Sequence, residues 1–260
     1  MRTNRTPVKP APAGQEFQPA RAPLPPRPSV ATSSERAYLR IEEAIVTMEI
    51  QPGSDVNEAF LSDVAGFGRT PVREAVRKLC FEHLLVVKPK RGIYVTEVDP
   101  VAQLRLLEVR REIDRLVFQN AARRATPEQR RQFALLGDNF RRASLTNDKM
   151  LFIRNDKEFN ELCLNCARNE FLTDSLRSIQ GLSRRFWFCH YKTFDYLSVT
   201  AMLHAGVAEA IAYGNVKLVS EATERLVNSA EALARKVAAQ QGVLDEHEAI
   251  AGDPLSLIHI

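Results

Sequence analysis

The stretch "EAFLSDVAGFGRTPVREAVRKL", Glu58 to Leu79, limits the fold more than any other part of the 260-residue sequence. It holds two short apolar-striped segments joined by the turn Gly66-Phe67-Gly68. At about 100° per residue, Val72, Ala75, Val76 and Leu79 fall on one arc of the second segment, and Arg69, Thr70, Arg73 and Arg77 on the neighbouring arc. One stripe enters a core while the other stays out. Pro71 is compatible with a helix, because in the first turn its missing N–H has no intrahelical partner to lose. Gly68 stands at the N-cap and Gly66 in the turn before it. A row of guanidinium groups on a short helix reads either as a solvated charged face or as a surface for a polyanion. The flanking sequence decides between them.

Upstream, Ser34 can cap a helix running to Ile50, with Tyr38, Ile41, Ala44, Ile45 and Met48 on one side, and "QPGSDV" ends it. Asn57 can cap the next helix, whose Phe60, Leu61 and Val64 are expected to face inward. The order is helix-turn-helix. Downstream the chemistry changes to that of strands: Leu85 to Lys88 and Ile93 to Val98 are β-branched or apolar runs separated by "PKRG", which predicts a β-hairpin wing. Its tip carries Lys88, Lys90 and Arg91, with Gly92 free to adopt a turn conformation or to approach a backbone closely. Between Arg69 and Arg91 the basic residues Arg69, Arg73, Arg77, Lys78, Lys88, Lys90 and Arg91 are opposed by Glu74 and Glu82 alone, while the rest of this region is acidic. Such segregation marks a double-stranded DNA-binding face, since an α-helix fits the major groove and basic wing residues neutralise phosphates.

These residues, from about 36 to 98, look like the winged-helix domain of GntR-type bacterial regulators. The resemblance implies a homodimer whose recognition helices read a short palindromic operator through Arg69, Thr70 and Arg73, with Gly92 as the wing glycine. Two positions depart from the family pattern. Gly68 replaces the usual Ser or Thr, removing a capping hydroxyl worth a few tenths of a kcal/mol relative to glycine. Ala59 replaces a basic residue that some members carry on the preceding helix.

From Pro100 to Gln241 the pattern is helical throughout, with expected helices near 100–125, 127–144, 148–168, 170–194, 198–213 and 215–240; Thr126-Pro127 and Gly214-Asn215 mark two boundaries. The expected fold is therefore mainly α: a winged helix-turn-helix with a small β-hairpin wing over residues 34–98, then an all-α bundle over 99–241. This bundle resembles the FadR-type (FCD) effector domain, through "LLEVRREIDRLVFQNAARRAT", "NDKEFNELCLNCARNEFL" and "MLHAGVAEAIAYGN". The length excludes the branch of the superfamily with an aminotransferase-like partner domain, which is far larger.

The FCD resemblance implies dimerisation and binding of a small-molecule effector, and in many members a divalent metal held by one Asp and three His. Zinc, nickel or manganese would suit such ligands. Carried over by spacing, the Asp is Asp156, the first His becomes Asn160, the second is His204 and the third falls at Leu226, so two of the four ligands, Asp156 and His204, remain. Asp156 and Asn160 share a helical face. His204 is accordingly a metal ligand, a hydrogen-bonding pocket residue or an ordinary buried histidine. Arg110 takes the place of the family's pocket arginine, where a guanidinium would pair with an effector carboxylate. Its alternative is a surface charge, with Arg111 and Asp114 close by. Arg184 and Arg185 are weaker pocket candidates than Arg110; they precede the aromatic run Phe186, Trp187, Phe188, which reads as core or dimer interface rather than as a ligand box.

The remaining features bound the function. Residues 1–33 are Pro-rich and hold Arg2, Arg5, Lys9, Arg21 and Arg27 against Glu16, which accounts for the whole net charge of +4; a disordered basic leader is expected there. Residues 242–260 form a tail in which "PLSLIHI" resembles translated sequencing adapter, so part of it is expected to be non-native. No run reaches the roughly 18 to 20 apolar residues of a membrane span, and the N-terminus has no hydrophobic signal region, so a cytoplasmic location with no membrane partner is expected. Cys80, Cys163, Cys166 and Cys189 are scattered as in reduced thiols, and the Cys163-x-x-Cys166 spacing lies in a helical pattern that suits small buried side chains rather than zinc or redox chemistry. No Ser-His-Asp, Cys-His or Gly-rich phosphate-loop pattern points to an enzyme. The functions left are a ligand-responsive regulator, usually a repressor in this family, and an effector-independent DNA-binding protein whose helical domain only dimerises.

Overall fold

The computed structural model describes residues 31–244, so the leader before residue 31 and the tail after residue 244, including the adapter-like segment, lie outside the described residues. Helices α1 (Ser33–Val46), α2 (Glu58–Ala65) and α3 (Arg69–Phe81) pack with a sheet of β1 (Asp55–Val56), β2 (Leu85–Lys88) and β3 (Gly92–Val95) in the order β1-β3-β2. Both pairings are antiparallel, with Lys88 opposite Gly92 across the hairpin and Asp55 opposite Tyr94 on the outer edge. Helices α4 (Pro100–Arg124), α5 (Pro127–Thr146), α6 (Lys149–Ala167), α7 (Glu170–His190), α8 (Leu197–Tyr213) and α9 (Val216–Gln240) follow, with α5 lying along α8 and α4 along α9.

Local chemistry sets most of these limits. Asn57 accepts from the Phe60 N–H as the α2 N-cap, and Gly66 closes that helix at φ 70. Gly68 caps α3 in extended conformation without a side-chain bond, and α3 buries Val72, Ala75, Val76 and Leu79. Thr126 and Gln129 form a reciprocal capping box at α5, with Pro127 where proline is tolerated. Two apolar cores result. One gathers Ile41, Ile45, Leu61, Val72, Leu79 and Val95; the other gathers Phe118, Phe133, Phe140, Phe159, Ile153 and Leu197 from the long helices.

Five local expectations need correction, one being the helix expected over 170–194, which stops at His190 because the chain turns through residues 191–195. Helix α1 starts at Ser33, so Ser34 lies inside its first turn and donates to Glu74 instead of capping. The same helix stops at Val46 rather than Ile50, because the chain turns back at Met48, a non-glycine residue at φ 60 whose N–H reaches the Ile45 carbonyl. Phe60 is 44% exposed, since eight residues of α2 bury only the Leu61 and Ala65 edge. Strand β3 ends at Val95 rather than Val98: beyond it, the carbonyls of Thr96 and Glu97 accept from Arg185 of α7 instead of continuing a ladder. Strand β1, in the stretch expected only to end a helix, had too few residues for a period-2 pattern.

Candidate nucleic-acid interface and buried cavity

Arg69, Thr70, Arg73 and Arg77 are all exposed on α3, opposite its buried stripe. Arg73 is 59% exposed at its side chain and donates from Nε to both carboxylate oxygens of Glu58, at 2.8 and 2.9 Å. That hydrogen bond and charge hold Glu58 below the usual carboxylate range. Of the two acidic residues within the basic segment, Glu82 is 3% exposed and turned inward, leaving Glu74 alone on the surface. At the wing tip the Arg91 N–H closes a turn on the Lys88 carbonyl at 3.0 Å. Pro89 at its second residue and Lys90, φ 61, at its third follow the type II pattern. Lys90 and Arg91 are exposed. Gly92 sits at φ 107, and a Cβ there would meet Asp55 Oδ1 at 3.2 Å, so both conformation and space favour glycine.

The helical bundle encloses a cavity of about 80 Å3. A single water needs roughly 10 to 15 Å3 of such space, so there is room for a small organic molecule. Arg110 and Asp114 reach it from α4, Asp156 from α6, Arg184 from α7, His204 from α8 and Leu226 from α9. Phe152, Phe186 and Trp187 form apolar wall, and the hydroxyls of Ser183, Thr200 and Ser229 also line it.

Asp156 is 6% exposed. One of its oxygens lies 3.1 Å from His204 Nε2 and the other 3.2 Å from Arg184 Nε. Burial pushes this carboxyl up, but His204, Arg184 and Arg110 hold it below the usual range. His204 Nδ1 lies 2.8 Å from the Thr200 carbonyl, and its ring sits among Phe140, Phe152 and Phe159. Both neighbours of the imidazole are acceptors, so both contacts are hydrogen bonds when each ring nitrogen carries a hydrogen. Arg110 pairs with Asp114 one turn along α4 at 2.8 Å. Among the described residues, Arg110 Nε and Asp114 Oδ1 are buried without a hydrogen-bond partner. Burial pushes the Asp114 carboxyl up against the pull of Arg110.

Of the positions carried over from the family metal pattern, Asp156, His204 and Leu226 do converge on the cavity, whereas Asn160 is not among its lining residues. Its amide donates to the Asp156 carbonyl and carboxylate at 2.8 and 3.1 Å. The donor set does not fit a closed metal site: Asp156 and His204 are bonded to each other, Leu226 has no donor atom, and among the described residues no three His, Cys, Asp or Glu side chains gather for one. Arg111 turns away from the cavity to Glu224, Asn228 and Glu231 of α9. Cys163 and Cys166 are buried, and burial pushes the Cys166 thiol up to about 11.

Of the aromatic run and its arginines, Arg184, Phe186 and Trp187 lie at the wall between core and cavity. Phe186 and Trp187 do belong to the core, but they face the cavity as well. Arg184 is 7% exposed; Nη1 donates to Glu42 of α1 and Nη2 to the Ile153 carbonyl at 3.0 Å. The other Glu42 oxygen accepts from Lys157, and these two cations hold that carboxyl below the usual range although burial pushes it up. Glu42 and Arg184 are 142 residues apart, so no local spacing signals their meeting.

Residues 33–95 match the model described as "Bacterial regulatory proteins, gntR family" and residues 105–229 that of the FCD domain. An uncharacterized HTH-type transcriptional regulator of Streptomyces ambofaciens is 39% identical over 69 residues, which span 26% of this chain and 29% of that protein. The HTH-type transcriptional repressor RspR of Escherichia coli (strain K12) is 28% identical over 65% of this chain and 73% of its own length. The solved structure of E. coli McbR/YncC superposes with a TM-score of 0.67 at 15% identity, over 80% of this chain and 99% of that one, which shows a shared fold.

Proposed function

This chain belongs to the gntR family of bacterial regulatory proteins and carries an FCD domain; from that premise we propose that it is a homodimeric, ligand-responsive repressor of a short palindromic operator. It is a DNA-binding transcription regulator and not an enzyme. The observation that carries the reading is the exposed row Arg69, Arg73 and Arg77 on a helix whose other face is locked in a core. Arg69, Thr70, Arg73 and Arg77 enter the major groove, and Lys90, Arg91 and Gly92 bring the wing against the backbone. Arg73 exchanges Glu58 for a base edge. Repression is the sense carried by the name of the relative RspR.

The effector is a small organic acid in the bundle cavity. Its carboxylate meets the open Nε of Arg110, with Asp156 and His204 bonding its other polar groups and Leu226 covering an apolar part. Asn160 acts behind Asp156, fixing the carboxylate through its amide. Binding shifts the protein between two states of different operator affinity, by its differential affinity for them.

Binding isotherms on operator and scrambled DNA at two salt concentrations test the reader. Arg73→Ala should sharply reduce discrimination, by roughly 1 to 3 kcal/mol for each lost bidentate base contact, and Lys90→Ala should weaken both DNAs alike. Unchanged discrimination in the Arg73 variant would remove that residue from base readout.

A further inference from the structure

Arg184 stands where the cavity and the DNA-reading half of the chain meet. Its guanidinium is a cavity-lining group, yet one of its nitrogens holds Glu42 of α1, and α1 packs directly on the recognition helix α3. A second nitrogen is taken by the Ile153 carbonyl. The third, Nε, lies 3.2 Å from Asp156 Oδ2, close enough for an ion pair but not aligned as a hydrogen bond. Arg184, Glu42 and Asp156 are each less than a tenth exposed, so bulk water screens their charges little. Two carboxylates from different halves of the chain thus share one buried cation, Glu42 at Nη1 and Asp156 at Nε.

Arg110 offers no such link, since its partner Asp114 belongs to the same helix. The charged groups beside Arg184's partners make contacts of their own: Lys157 donates to the second oxygen of Glu42, and His204 Nε2 lies against the other oxygen of Asp156, Oδ1.

We infer that Arg184 is the residue through which the reader senses the cavity: a ligand carboxylate that takes Arg184 does so at the expense of Glu42, loosening α1. The inference rests on the cavity being the effector site. It gives the ligand's carboxylate, beside its contact on Arg110, a second contact on Arg184, and it makes Asp156 the internal rival that this carboxylate joins.

The rivalry is testable without a ligand, in a double-mutant cycle read by amide hydrogen exchange on the full-length protein. Asp156→Asn should give Arg184 more fully to Glu42 and slow exchange in α1 by about tenfold, and in a Glu42→Gln background the same change should have no such effect. A control cycle pairing Asp114→Asn with Glu42→Gln should be multiplicative, because Asp114 does not touch Arg184. If Glu42→Gln fails to fold by circular dichroism, Glu42→Asp, one methylene shorter, takes its place in both cycles. Multiplicative behaviour of the Asp156 and Glu42 changes, or unaltered α1 exchange in Asp156→Asn, would overturn the inference. Because no ligand is added, that outcome would leave the effector reading standing, and a cavity that proved to bind no organic acid would leave a positive cycle standing.

Discussion

Glu82 closes the recognition helix as its C-cap, and it does so as a buried carboxyl. The Tyr38 hydroxyl donates to both of its oxygens at 2.9 and 3.1 Å, Lys78 Nζ stands 4.0 Å away, and Glu42 and Lys157 lie near enough to act through charge. Burial outweighs the help from Tyr38 and Lys78 and pushes this carboxyl up to about 7. A folded-state pKa above the unfolded one means that the native protein holds the proton more tightly. The associated stability is fully present below the ordinary carboxylate value of 4.5 and is lost as pH rises through about 7. At about 1.4 kcal/mol per unit, the loss amounts to about 3 kcal/mol at most. Glu82→Gln should keep the Tyr38 hydrogen bond, match the wild type near pH 4.5 and become progressively more stable than it up to pH 8. Burial lowers His190, which gives the opposite slope, but that residue is the same in both proteins and cancels in their difference. Urea midpoints between pH 5 and pH 8 decide: a constant difference between the two proteins removes Glu82 as the titrating group.

At the scale of elements, the cavity is made by five helices, and the ligand positions of the family pattern are spread over three of them: Asp156 and Asn160 on α6, His204 on α8 and Leu226 on α9. The helices themselves were legible, because apolar periodicity, capping residues and Gly or Pro breaks coincide at their ends, as at Thr126-Pro127 and Gly214-Asn215. The convergence of Asp156, His204 and Arg110 was legible only through the family resemblance. Arg184 stood out only as a weaker pocket candidate, since a charged residue beside an aromatic run carries no mark of the distant carboxylate, Glu42, that permits its burial. Phe60 was misread because a short helix has too few turns to fix which edge is buried. The helix geometry also says what restoring the missing ligands should do. In the wild type, elemental analysis after chelator treatment should find little stoichiometric transition metal, because Asp156 and His204 alone are too few protein ligands. Asn160→His with Leu226→His should create measurable zinc or nickel affinity, with the Thr200 carbonyl still orienting His204 through Nδ1 and leaving Nε2 for the metal. One tightly bound metal per wild-type chain would contradict this, as would a double variant without affinity.

For the whole molecule, the size of the reading surface sets the assembly. The recognition helix has 13 residues, and a few of these face outward at its N-terminal end. One such helix reads too few base pairs to define a unique site, whereas two related by a dyad read two half-sites a helical turn apart. The full-length protein should therefore sediment as a dimer of its 29.3 kDa chain. Removing residues 1–30 should leave that dimer intact, since α1 to α9 and both apolar cores lie within residues 31–244. The truncation should nevertheless change DNA binding, because it takes away Arg2, Arg5, Lys9, Arg21 and Arg27 and only one acidic residue, Glu16. Cations that neutralise phosphates release counterions, so their loss should lower affinity for scrambled DNA at low salt and flatten its salt dependence. Operator discrimination should survive, because the arginine row of α3 is untouched. Sedimentation of full and truncated chains, with salt titrations on both DNAs, separates the two roles: a monomer in either case would sink the dimeric reader, and an unchanged salt slope would show that the basic leader takes no part in binding.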